Sequence, residues 1–318
     1  MPRRRRARCM TRPACGWAFP TISKKPKPRA DLAAAAGVLL LAALSFSGCS
    51  PPPPPDAPRD APSRIVTLAP NLTEIVFALG AGESVVGVSD HSDYPEAARA
   101  IPRVGGLEVS AERVTSLRPD LVLATREGNT RGPVDALQSA GVPVLLVPAG
   151  SLDDVLTGIR LVAAKLDRKD AGEKLVAELE RRREAVRVLA ASRRRPRAIL
   201  LIWPEPPQAA GGGTFLHDVL VEAGAENVLG DRPGWPLVSP EYLAATSVDV
   251  LIVPESEGNR EVYERALREG VLSRGAAKRA RIVRVDESAL TRPGPRVFEA
   301  MEGLARALTA AAAAVDAK

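Results

Sequence analysis

Histidine, cysteine and aromatic side chains are scarce in this chain, and each shortage removes a class of function. The 318 residues include only two histidines, His91 and His217. A bare zinc or manganese ion held by three or four histidine and carboxylate ligands is hard to house with so few. The cysteines are Cys9, Cys15 and Cys49, so the chain beyond position 49 holds no disulfide and no thiolate metal centre. Aromatics make up 3% of the residues, which makes Tyr94, Trp203 and Trp235 conspicuous where they fall. Catalytic signatures are missing too: there is no G-x-S-x-G, H-E-x-x-H or G-x-x-x-x-G-K-[ST]. Gly211-Gly212-Gly213 does not match the dinucleotide fingerprint and reads as a flexible turn before a helix starting near Phe215. No catalytic residue, cofactor or metal site is expected.

The formal charge of +6 invites a nucleic-acid partner, but its placement argues against one. Residues 1–48 carry ten of the 44 basic residues and one of the 38 acidic ones, which leaves 34 basic and 37 acidic, a net of −3, for the remainder. Basic character belongs to a leader of the signal-peptide type. Arg3 to Arg8, Lys24, Lys25, Lys27 and Arg29 form its n-region, and an apolar stretch from Leu32 to Phe46 follows. These fifteen residues fall short of the roughly 20 that a permanent membrane-spanning helix needs. Export to the periplasmic or cell-surface side is the expectation. Ser47-Gly48-Cys49 resembles the bacterial lipobox, with Phe46 where that motif usually has Leu, and implies a lipid anchor on Cys49. An ordinary cleaved signal and a retained anchor are the alternatives. Residues 49–62, rich in proline, cannot pack and read as a stiff tether.

Beyond the tether the pattern is that of an α/β protein. Arg64 to Leu68 is a β-branched apolar run, and Asn71 then reads as an N-cap with Glu74 three residues on, ahead of Leu72, Ile75, Val76 and Leu79 at helical spacing. Val85 to Val88, Leu121 to Ala124 and Val142 to Val147 are further buried-strand candidates separated by helical stretches. Asp170 to Ser192 has no proline and one apolar side, which predicts a helix of about 35 Å. A fresh strand signal at Arg197 to Ile202 makes that helix a strut between lobes. The halves also echo each other: Val109-Ser110-Ala111-Glu112 and Val238-Ser239-Pro240-Glu241 stand at a constant offset of 129. The reading is two Rossmann-like lobes with parallel sheets, residues 63–166 and 196–318, joined by a single long α-helix within residues 167–195, with a ligand cleft between them.

RIVTLAPNLTEIVFALGAG followed by VVGVSDHSDYPEAA resembles the opening of the substrate-binding proteins of ABC importers that carry vitamin B12, haem and iron-siderophores, and is nearest to the cobalamin-binding members. The likeness runs from about Arg64 to the C-terminus. It implies a monomer that captures a corrinoid, or in the alternative haem or a ferric siderophore, and passes it to a permease dimer. The turns at the carboxyl ends of the strands should line the cleft. Tyr94, Trp203 and Trp235 fall in these turns, where an aromatic face suits a flat ligand and equally fills a core. Tyr94 and Trp235 match positions where the cobalamin-binding family has ligand-contacting aromatics, whereas Leu107 and Thr125 stand where close relatives carry tryptophan. Arg292, in Arg292-Pro293-Gly294-Pro295-Arg296, resembles a cleft-edge motif and meets either a ligand or a helix end. Glu112 and Glu241 suit the positive end of a helix, and the resemblance implies that they dock into arginine pockets of the permease. From a different class, an envelope enzyme acting on the same kind of ligand would have Asp93, His91 and Asp286 as its only acid and base candidates.

Overall fold

The computed structural model describes residues 61–106, 108–191 and 194–316. The leader, Cys49, the tether up to residue 60 and Leu107 lie outside the described residues. The first lobe alternates strand and helix: β1 (Ile65–Thr67), α1 (Pro70–Ala78), β2 (Val85–Val88), α2 (Ala111–Ser116), β3 (Leu121–Thr125), α3 (Arg131–Ser139), β4 (Val144–Val147) and α4 (Leu152–Lys165). Its sheet is parallel throughout in the order β2-β1-β3-β4. β1 and β3 are buried along their whole length, as central parallel strands covered on both faces must be. Helix starts are local affairs. Ser110 and Ser151 accept the backbone N–H groups of Arg113 and Asp154 at 3.2 and 3.1 Å. At α1 the expected cap is not used: Pro70 takes the first helical position after Ala69, where its missing N–H costs nothing, and the Asn71 side chain is left for other work.

Helix α5 (Lys169–Ala191) connects the lobes and packs on α4. The second lobe comprises β5 (Arg197–Pro204), β6 (Pro207–Ala209), α6 (Phe215–Glu222), β7 (Glu226–Asn227), α7 (Pro240–Ala245), β8 (Val250–Glu255), α8 (Arg260–Arg268), α9 (Gly275–Arg279), β9 (Arg281–Asp286), α10 (Glu287–Thr291) and α11 (Val297–Asp316), the last also packed on α5. Its sheet order is β6-β5-β8-β9, with β7 also on β5. The pairings are parallel except β5–β6, where the two-residue Glu205-Pro206 connection reverses the chain. This hairpin departs from the all-parallel expectation.

One apolar core spans the inner faces of both sheets. It runs from Ile65, Ile75 and Leu121 through Ile159 on α4 and Val176, Leu179 and Val186 on α5 to Leu200, Phe298 and Leu304. Two smaller cores close the outer faces, one under α2 and α3 and one under α7, α8 and α9. The long helix is thus built into a continuous interior, which ties each lobe's inner layer to the other's. Gly172 makes the α4–α5 approach possible: a Cβ there would lie 2.4 Å from that of Ala163.

Candidate ligand-binding site

A cavity of about 500 Å³ opens between the lobes. The first lobe supplies the turns after all four of its strands, including Asn71, His91, Thr125, Glu127 and Asn129, and the second supplies Gly213 to Phe215, Gly234, Trp235 and Pro293. This is the switch-point geometry of parallel sheets, in which loops at the carboxyl ends face the ligand. The turns are held by their own side chains. Asn129 accepts the Thr125 backbone N–H at 2.7 Å and its hydroxyl at 3.0 Å, and donates to the Leu68 carbonyl at 3.0 Å. Glu127 accepts the Ala149 N–H at 2.9 Å, which ties the turn after β3 to the turn after β4.

On the opposite wall, the three glycines are no flexible turn. Gly211 and Gly212 donate to the carbonyls of Gly234 and Arg232 at 2.9 and 2.7 Å, and Gly234 returns a bond to Gly212 at 3.1 Å. A Cβ on Gly212 would lie 2.2 Å from the Gly230 carbonyl oxygen, so glycine is required by close backbone approach. This clamp holds Trp235 at the cavity, 45% exposed.

The expected site residues are not gathered in one place. Trp235, Thr125 and His91 line the cavity. Tyr94 lies outside it, in a hollow of about 390 Å³ bounded by α1, α5 and α11 residues such as Phe77, Leu175, Leu179 and Glu299. Its ring is covered by the Arg296 guanidinium at 4.1 Å from the centroid. Trp203 closes the β5–β6 hairpin by donating to the Glu205 carbonyl at 3.0 Å. Arg292 pairs with Asp93 at 2.5 Å, while Asp286 caps α10 by accepting the Ala289 N–H at 2.7 Å. Partial burial pushes the Asp93 carboxyl up, but the hydrogen bond and charge of Arg292 outweigh it and hold its pKa below the usual aspartate range. Asp93 is thus engaged by Arg292, and Asp286 by the start of α10. Glu112 and Glu241 sit in the first turns of α2 and α7, and the Ser239 hydroxyl accepts the Tyr242 N–H at 3.2 Å, as Ser110 does for Arg113. Glu241 is fully exposed, and its own backbone N–H, then the Ser239 hydroxyl, lower its pKa.

Three participants were not singled out from sequence: Asn129, Glu74 and Arg296. Glu74 is 3% exposed and pairs with Arg296 at 2.6 Å across 222 positions of chain. Only the acid's place among the apolar positions Leu72, Ile75, Val76 and Leu79 hinted at a buried partner. Among the described residues no group of three or more His, Cys, Asp or Glu is placed to hold a metal ion.

A two-lobe α/β fold with one connecting helix and a ligand-sized interlobe cavity defines a solute-binding protein. Residues 65–289 match the family model described as Periplasmic binding protein, and the chain belongs to that family. It is an exported binding protein and not an enzyme. It is 31% identical to the vitamin B12-binding protein of Salmonella paratyphi A over 77% of this chain and 90% of that one. It is 30% identical to the uncharacterized ABC transporter substrate-binding lipoprotein YvrC of Bacillus subtilis, over 78% of this chain and 80% of that one. Among solved structures, the periplasmic haem-binding protein RhuT from Roseiflexus in apo form superposes with a TM-score of 0.72 at 32% identity, covering 79% of this chain and 99% of that one.

Proposed function

We propose that this protein captures a corrinoid between its lobes and delivers it to an ABC importer, held at the membrane by a lipid on Cys49. The observation that carries the choice of ligand is the cavity's charge. No Lys or Arg is among the described residues that line it, and Glu127 is their only acid. What stands there instead is uncharged and polar, namely Asn71, Ser89, Thr125, Asn129 and Thr214, beside Trp235, Phe215 and Leu68. An anionic siderophore calls for cations. A corrin, with an apolar face and a rim of amides, calls for an aromatic wall and neutral hydrogen-bonding groups. Trp235 is the face it stacks on. Tyr94, Trp203 and Arg292 stand outside the cavity and reach the ligand only if the lobes part.

Haem is the second reading, favoured by His91, whose imidazole lines the cavity and suits an iron axial position. Glu112 and Glu241, one per lobe at equivalent first-turn positions, are the surface acids that meet basic pockets on the permease subunits. The purified protein titrated with cyanocobalamin, dicyanocobinamide, haemin and a ferric hydroxamate, read by absorbance and calorimetry, separates these readings. Corrinoid binding that Trp235→Ala weakens about tenfold, ~1.4 kcal/mol, is the expected result. Haemin binding with a Soret band altered by His91→Ala, and no corrinoid binding, would replace corrinoid by haem.

A further inference from the structure

Beside the cavity the two lobes are joined by a charge network centred on Glu74. Glu74 on α1 and Asp93 after β2 belong to the first lobe, and Arg292 and Arg296, in the loop between α10 and α11, belong to the second. Arg296 grips Glu74 with two bonds, Nη2 to Oε1 at 2.6 Å and Nε to Oε2 at 3.0 Å, and donates to the Ser288 carbonyl and hydroxyl as well. Arg292 holds Asp93 at 2.5 Å and approaches Glu74 at 3.7 Å. Asn71, freed from capping, donates to the Pro293 carbonyl at 3.2 Å. The loop lies so close to α1 that a Cβ on Gly294 would be 3.3 Å from both Asn71 Cβ and a Glu74 carboxylate oxygen.

The network also has a place. Asn71 and Pro293 line the cavity that holds Trp235, whereas Glu74 and Arg296 line the hollow that holds Tyr94. It is a partition between the two spaces. Its two ion pairs differ in kind. The Glu74 side chain is 2% exposed, so parting it from Arg296 would strand a carboxylate away from water. The Asp93 side chain is 49% exposed, so water solvates it once Arg292, itself 19% exposed, leaves.

We propose that Glu74–Arg296 is a fixed pivot of the interlobe joint and Asp93–Arg292 a releasable latch whose opening lets the lobes part on the Asp93 side of that pivot. Arg292 then swings out while Arg296 stays seated against Glu74 and over the Tyr94 ring. The device is independent of which chelate is carried.

The test uses the full chain with Cys9, Cys15 and Cys49 replaced by serine and spin labels on Gln138→Cys and Lys278→Cys, which are exposed on opposite lobes. Pulsed electron resonance then reads the interlobe distance distribution without added ligand. Asp93→Asn should add a population at altered distance while leaving the thermal midpoint within about 2 °C, and Asp93→Glu, which keeps the charge pair, should not add it. Glu74→Gln should lower the midpoint by several degrees, with Glu74→Asp recovering part of the loss. A distribution unchanged by both Asp93→Asn and Asp93→Ala would overturn the latch. A midpoint unchanged by Glu74→Gln would overturn the pivot.

Discussion

Single residues in this protein act according to whether their polar atoms find partners. Tyr263 on α8 is fully buried, and its hydroxyl has no hydrogen-bond partner among the described residues. Burial, with the nearby Glu287 charge adding to it, raises its pKa, because the ionised form would be stranded. An unsatisfied buried hydroxyl costs ~1–3 kcal/mol, and the ring without it fills the same space. Tyr263→Phe should therefore stabilise the protein by about 1 kcal/mol and raise the thermal midpoint by roughly 2–4 °C, measurable by calorimetry. Asn129 is the opposite case. Its amide serves the Thr125 N–H and the Leu68 carbonyl, so Asn129→Ala takes that partner from both backbone groups of the cavity wall.

At the scale of elements, α5 is the member on which both lobes depend. Arg183 at its middle reaches Asp153 on α4 and Glu222 on α6, the Nε bond to Glu222 measuring 2.7 Å, so one guanidinium bridges the lobes. Its pKa rises, chiefly through the hydrogen bond to Glu222. Closer to the start of the helix, Gly172 lets α5 lie on α4. Replacing it with valine pits two effects against each other. Helix propensity favours the change by less than about 1 kcal/mol. The steric term is larger, because a Cβ 2.4 Å from Ala163 forces the helices apart, and overpacking of this kind costs ~1–3 kcal/mol. Gly172→Val should lower stability in urea unfolding by 1 kcal/mol or more, by order of magnitude.

The whole molecule carries its acid sensitivity in a few paired carboxylates. For Asp120 and Glu222 burial pushes the pKa up, but the partners prevail: the Arg64 and Ser63 N–H groups for the first, Arg183 and Arg187 for the second. Their folded pKa values lie below the ordinary 3.8 and 4.5, so their stabilisation is complete above those values and is lost as pH falls through the depressed ones. Asp218, raised by burial, works the other way and offsets part of the loss. The thermal midpoint should hold steady from neutral pH down to about 5 and fall below about 4, as scanning calorimetry across pH would record. Transport tests the other whole-molecule property. Glu112→Ala combined with Glu241→Ala should leave ligand affinity unchanged and slow uptake in cells, and a loss of affinity instead would reassign both acids to the ligand.

What could be read without coordinates was whatever depends on near neighbours in the chain. The β-branched runs, the long helix at 170–192 and each of the two Val-Ser-x-Glu segments concern residues within a few turns of one another, and each reappears in the structure within a few positions. The Asn71 cap was misjudged because Pro70 competes for the same helix start over a single residue. The glycine clamp, the Glu74–Arg296 pair and the separation of Tyr94 from Trp235 were decided by tertiary structure alone. Each depends on how segments as much as 222 positions apart are brought together once the lobes dock, and local pattern holds no record of that distance.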